Sequence, residues 1–145
     1  MSLKNNNKLI YGFLTLGLIG FADALYLTVS HYTGDIACSV ISGCQEVLVS
    51  PYSEIFGLPI ALFGAAYYLF IFLTAVFYLD TKHILAFKVL GYLPIIAFVF
   101  SLYLVYLQIF VIHAICQYCM LSALTSTLIF ISGLFLLKNK KIELN

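Results

Sequence analysis

Four apolar stretches, Leu9–Val29, Leu58–Leu79, Val89–Ile112 and Cys116–Leu137, dominate this chain. Each is long enough to cross a hydrocarbon core, which takes about 20 residues of helix. Backbone polar groups have no water to bond in lipid, so a spanning segment is either a helix or a strand of a closed barrel. The stretches are continuously apolar rather than alternating, which selects the helix. Composition agrees: the 145 residues are 63% hydrophobic and 9% charged, where a soluble domain carries about 25% charged residues. The expectation is an all-α integral membrane protein, a four-transmembrane-helix bundle. Residues 1–145 form one membrane domain, and a large external loop, residues 30–57, joins helices 1 and 2. Net charge is +1, with no Arg-rich patch, so no nucleic acid is expected as a partner.

The cations set the orientation. Lys4 and Lys8 precede the first span, Lys82 and Lys88 lie between the second and third, and Lys138, Lys140 and Lys141 follow the fourth. These seven account for every Lys and Arg, and with four spans they fall on one side. Both termini and the Asp80–Lys88 loop are therefore expected in the cytoplasm of a cell, with Ser30–Gly57 and its Asp35, Glu46 and Glu54 outside. Ala22-Asp23-Ala24 imitates a small-residue cleavage site. The apolar run continues through Leu25–Val29, which favours an uncleaved span. Asn5-Asn6-Asn7 reads as a short polar terminus. Pro59 suits the first turn of a helix. Pro94, inside the third span, should bend it and free a carbonyl.

All four cysteines fall on the external side, where disulfides persist. Cys38 and Cys44 lie in the large loop, on a segment whose Gly34 and Gly43 permit movement. Cys116 and Cys119 form a Cys-x-x-Cys at the start of the fourth span. A helix start carries partial positive charge and unpaired N–H groups, which favour a thiolate, the attacking species in disulfide exchange. A pair at the lipid boundary can also meet a lipophilic electron carrier. Other readings stand beside this one. Cys38–Cys44 could be a static staple, and Cys116 and Cys119 two small apolar helix residues; the chain would then be a non-catalytic four-span membrane protein with structural disulfides. An all-thiolate zinc site needs a rigid tetrahedral cage, and no His at suitable spacing supports one, so no metal is expected. Met120 after Cys119 excludes c-type haem attachment.

The run Ser101–Ile112, followed by Cys116-Gln117-Tyr118-Cys119-Met120-Leu121-Ser122-Ala123, resembles prokaryotic homologues of the vitamin K epoxide reductase family. So do Leu25-Tyr26-Leu27 and the loop with Cys38, Cys44, Val47, Ser50 and Ile55-Phe56-Gly57-Leu58-Pro59. The likeness covers Ala22 to Ala123. It implies a four-helix bundle holding a quinone near its outer face, in a prokaryotic cell membrane. It implies that Cys38 exchanges with a thioredoxin-like partner, that Cys44 shuttles to Cys116 through a transient disulfide, and that Cys119 reduces the quinone. The family's loop serine falls on Ser50. The vertebrate pattern has an Asn shortly before Phe-Gly and a Tyr four residues after the last cysteine; here these positions are Ser53 and Ala123. The implied acceptor is therefore an ordinary respiratory quinone, of menaquinone or ubiquinone type, rather than vitamin K epoxide. Gln117 stands where bacterial relatives commonly have Pro, a change that should tune potential. Only Lys138–Asn145 follows the fourth span, so the thioredoxin-like partner is expected to be a separate protein. Ser53, Phe56, Leu48, Leu104 and Ala123 are the pocket-lining residues that the resemblance implies.

Two polar side chains inside the spans stand out. Asp23 lies about two turns from the outer end of the first span, and an intramembrane carboxylate is a functional candidate. It either delivers protons to the reduced quinone or, neutral, bonds a neighbouring helix. Gln108, about two turns before Cys116, either donates to a quinone oxygen or makes a hydrogen bond between helices. His113 either steadies a thiolate or is an ordinary interfacial histidine.

Overall fold

The structure, a computed structural model, describes residues 2–38 and 41–143. Met1, Ser39, Val40, Leu144 and Asn145 lie outside the described residues, as do the side chains of 2–5 and 140–143, including Lys4, Lys140 and Lys141. The elements in chain order are α1 (Ser2–Thr33), α2 (Cys44–Leu48), β1 (Glu54–Ile55), β2 (Leu58–Pro59), α3 (Ile60–Thr81), α4 (Ile84–Tyr106) and α5 (Gln117–Glu143). A π-helical segment, Leu107–Ile112, extends α4. Among the described residues, Asn6–Thr33, Ile60–Thr81, Ile84–Ile112 and Gln117–Asn139 are long and apolar enough to cross a membrane.

The helices differ from the apolar stretches at their ends, because helical hydrogen bonding need not stop where hydrocarbon does. α1 runs four residues past Val29 and closes on Gly34, whose N–H donates to Ser30 O at 2.9 Å and whose φ is +72°. Glycine accepts that left-handed turn without steric cost. Leu58 and Pro59 are not helical: they form β2, and Pro59 caps α3 in an extended conformation. Most of the Asp80–Lys88 segment is also helical. Its break is the pair Lys82 and His83, with Lys82 left-handed and the His83 Nδ1 accepting from Leu85 N–H at 3.2 Å. The asparagine run belongs to α1, where Asn6 is buried and accepts from Asn139 Nδ2 at 3.3 Å.

α1 packs on α3 and α5, and α4 packs on α5 and α3, closing a ring of four long helices. The end bearing the described lysines is solid. Ile10, Phe13, Ile71, Leu90, Ile129 and Leu136 are fully buried there. Pro94 lies inside α4, where it cannot donate to the Leu90 carbonyl. That carbonyl faces Gly133 of α5, whose missing Cβ would stand 3.0 Å from Leu90 O. Small size at 133 thus lets α5 approach the backbone next to the proline. The outer surface is apolar in the manner of a lipid-facing one: Ile96 is 70% exposed and Val99 62%. Helical threonine hydroxyls bond back to the preceding turn, as in Thr28 to Ala24 O at 2.8 Å and Thr74 to Phe70 O at 2.7 Å, whereas the buried Tyr67 hydroxyl has no hydrogen-bond partner.

Candidate redox site and its cavity

At the opposite end the bundle opens into an apolar cavity of about 380 Å³, within the size range of small-molecule sites. α1 supplies Ala24, Leu27 and His31; α3 supplies Tyr67 and Tyr68; α4 and its π segment supply Leu104 and Gln108. α5 supplies Cys119, Ser122 and Ala123, and the loop covers the opening with Leu48, Ser50 and Ser53. Of the residues read from the sequence as cavity-lining, Ser53, Leu48, Leu104, Gln108 and Ala123 stand in this wall. Phe56 does not: with Gly57 it makes the left-handed turn between β1 and β2 (φ 55° and 77°), and its ring is 98% exposed. Such a turn matches the twist of paired strands, and it points away from the cavity.

Cys38 and Cys44 form a disulfide, with Cα atoms 6.3 Å apart. Cys38 is partly exposed, while Cys44 is fully buried at the start of α2. Cys116 and Cys119 are free thiols. Cys44 and Cys116 belong to one cluster of buried side chains with Leu27, Val47, Leu48 and Ala114, and Cys38 and Cys119 pack at its edge. Gly43 makes this possible. Its φ is −86°, an ordinary value, so the residue is needed for closeness rather than for freedom. A Cβ there would stand 2.6 Å from Ile115 O and 2.7 Å from Ile115 N. The loop backbone therefore lies directly on the irregular segment that leads into Cys116.

The π segment shapes that connection. His113 turns left-handed (φ 56°), and both His113 and Ala114 N–H groups donate to Gln108 O. The wider turn carries the chain to Cys116, which precedes rather than begins α5. The buried Gln108 side chain completes the support, its Oε1 accepting from Cys116 N–H at 3.2 Å. Cys116 in turn caps α5: Cys119 N–H donates to Cys116 Sγ at 3.5 Å, a position that favours a thiolate. The two sulfurs divide the space. Cys119 lies in the cavity wall and Cys116 among the loop residues.

Asp23 is 7% exposed, and neither carboxyl oxygen has a hydrogen-bond partner. It is not part of the cavity wall. Tyr68 is part of the wall and hydrogen-bonds Ser122, at 2.8 Å to its carbonyl and 2.9 Å to its hydroxyl. Ser50 Oγ donates to Val47 O at 2.9 Å and Ser53 Oγ to Ser50 O at 2.8 Å, so both serines build consecutive turns after α2. His113 is exposed. Among the described residues, no group of three or more His, Cys, Asp or Glu could hold a metal ion.

Two cysteine pairs thus meet at one buried cluster, with an apolar cavity beside Cys119. The family model of the vitamin K epoxide reductase family matches residues 12–134. The chain belongs to the vitamin K epoxide reductase family. It is a membrane protein and, as a member of this family, a redox enzyme of the disulfide oxidoreductase kind. No curated protein matches it.

Several residues of this site carried no distinct signal in the sequence. Tyr26, Tyr118 and Gly43 were visible only as parts of motifs, and the His31–Glu54 hydrogen bond (2.9 Å), which ties the hairpin to the end of α1, joins residues 23 positions apart. Tyr68 and Ser122 face each other only once α3 and α5 are packed.

Proposed function

We propose that this protein oxidises a separate thioredoxin-like partner outside the cytoplasm and passes the electrons to a membrane quinone of menaquinone or ubiquinone type. In this reading the side shared by the lysines is cytoplasmic, so both termini face the cytoplasm and the Cys38–Cys44 loop faces outside; the membrane is that of a prokaryotic cell, as the likeness to prokaryotic homologues implies. The observation that carries the reading is the shared burial of Cys44 and Cys116, with Cys119 facing an apolar cavity.

A partner thiolate attacks Cys38, the more exposed sulfur of its disulfide. The Cys38–partner bond forms and Cys44 leaves as a thiolate. Cys44 attacks Cys116 of a closed Cys116–Cys119 disulfide, forming Cys44–Cys116 and releasing Cys119. The partner's second thiol displaces Cys38 and departs oxidised, and Cys38 closes back on Cys44, freeing Cys116. Cys116 and Cys119 are then both reduced, as they stand in this structure. Their closure releases two electrons and two protons.

The cavity fits a quinone head: it is apolar and has the Cys119 thiol in its wall. A quinone bound there would accept the electron pair and two protons. Gln108, its oxygen committed to Cys116, has its amide NH₂ left to donate to a ring oxygen. Leu48, Leu104 and Ala123 would exclude water. Ser50 and Ser53 shape the loop roof, and Asp23 would deliver protons to the reduced quinone. Phe56 lies outside the wall and has no part in holding the ring.

Two measurements test this. Cys119→Ala protein in membranes should accumulate a Cys44–Cys116 disulfide, read by non-reducing peptide mapping, and wild-type protein should reduce added quinone when given a reduced thioredoxin-fold protein. Cys116 remaining a free thiol beside an unreactive Cys38–Cys44 bond would leave the disulfides structural.

A further inference from the structure

The peptide immediately before Cys38 is gripped from both sides. Tyr118, which lies between the two cysteines of the Cys-x-x-Cys, donates its hydroxyl to Ala37 O at 2.9 Å. Tyr26 of α1 accepts from Ala37 N–H through its hydroxyl at 3.3 Å. The two rings pack on each other with centroids 4.9 Å apart at 50°, a geometry favourable for aromatic pairs. Both backbone groups of Ala37 are thus held by tyrosines that support each other, one from the first turn of the helix carrying Cys119 and one from α1.

The other arm of the loop is anchored separately, by Gly43 against Ile115. This matters when the Cys38–Cys44 bond opens. Gly43 keeps Cys44 against Cys116, but nothing in that contact restrains Cys38. An intramolecular exchange is fast only while its sulfurs stay within reach, so immobilising the attacking arm raises its effective concentration.

We propose that Tyr26 and Tyr118 are positioning residues for the resolving step: they hold Ala37, and with it Cys38, over the start of α5 so that Cys38 returns to Cys44. In that step the Cys38 thiolate attacks Cys44 Sγ. The Cys38–Cys44 bond forms, the Cys44–Cys116 bond breaks, and Cys116 leaves as a thiolate and takes up the proton that Cys38 gave up. One disulfide replaces another, with no external oxidant. The inference rests on the relay proposed above.

The test uses the full chain with Cys119→Ala, in which the Cys38–Cys44 and Cys44–Cys116 forms interconvert without any partner. After equilibration, free thiols are alkylated and the two forms counted by mass spectrometry. Tyr118→Phe and Tyr26→Phe remove the hydroxyls and keep the rings. Each is expected to shift the equilibrium toward Cys44–Cys116 by ~5-fold, the scale of one net hydrogen bond. Ala37 amide hydrogen exchange should quicken in both. Thermal midpoints should move no more than in Tyr92→Phe, a change at an exposed tyrosine of α4. A parent that forms Cys44–Cys116 but whose equilibrium is unmoved by either variant overturns the clamp and leaves the relay standing. A parent that never forms that bond overturns the relay, and the clamp with it.

Discussion

The side-chain oxygen of Gln108 accepts a hydrogen bond from the backbone N–H of Cys116 at 3.2 Å, across eight residues of chain that include a π-helical turn. Both residues are buried, so this bond has no water to replace it. It ties the end of the third membrane helix to the cysteine nearest the loop.

Gln108→Met keeps the volume and removes the acceptor. It leaves a buried N–H unpaired, which costs about 1–3 kcal/mol. Thermal unfolding in detergent should show that loss, and quinone reduction should fall with it because Cys116 loses its fixed position. A variant as stable as wild type would mean the segment into Cys116 is held by other bonds.

Gly43→Ala places a methyl where the Ile115 backbone already stands. Neither backbone can yield as a flexible side chain would, so the loop should lift off α5. The Cys38–Cys44 disulfide should still form. Trapping of Cys44–Cys116 in the Cys119→Ala background is expected to drop ~10-fold or more, since displacements of about 1 Å can cost up to ~100-fold in such reactions. Peptide mapping reads the outcome directly.

Asp23→Asn keeps shape and removes the proton-carrying group. If Asp23 feeds protons toward the cavity, quinone reduction should fall on the order of 100-fold, the lower end of what general acid catalysis contributes. Partner oxidation in a single turnover should be unaffected. Equal losses in both half-reactions would assign Asp23 to packing.

Gly133→Val should destabilise the bundle by about 1–3 kcal/mol, the usual cost of overpacking. Even a Cβ at 133 would stand 3.0 Å from Leu90 O and 3.2 Å from Gly91 O. Because this contact is at the solid end of the bundle, disulfide exchange among protein that remains folded should be unchanged.

Which parts of this protein can be read from sequence follows from how local the forces are. Four spans, their helical form, the shared side of the lysines and the placement of every cysteine at the opposite end need only chain position. Lipid permits no unpaired backbone, and long apolar runs have no other outcome. Helix ends were less legible. Pro59 continues a strand before it caps α3, and α5 starts after Cys116 because Gln108, eight residues earlier, holds the Cys116 N–H. The Gly43 of the loop illustrates the limit: read as a hinge from composition, it is a contact point, because the Ile115 backbone occupies the space a side chain would need.

The tertiary structure alone decided what meets at the cavity end of the bundle. Tyr118 reaches Ala37 across 81 positions and Tyr68 reaches Ser122 across 54. Such pairs depend on how helices are rotated about their axes. In lipid both the core and the surface are apolar, so hydropathy carries little signal for which face of a helix turns inward. The cavity is a consequence of the same packing: it exists where α1, α3, α4 and α5 stand apart beneath the loop, and no single segment of the chain encodes that separation.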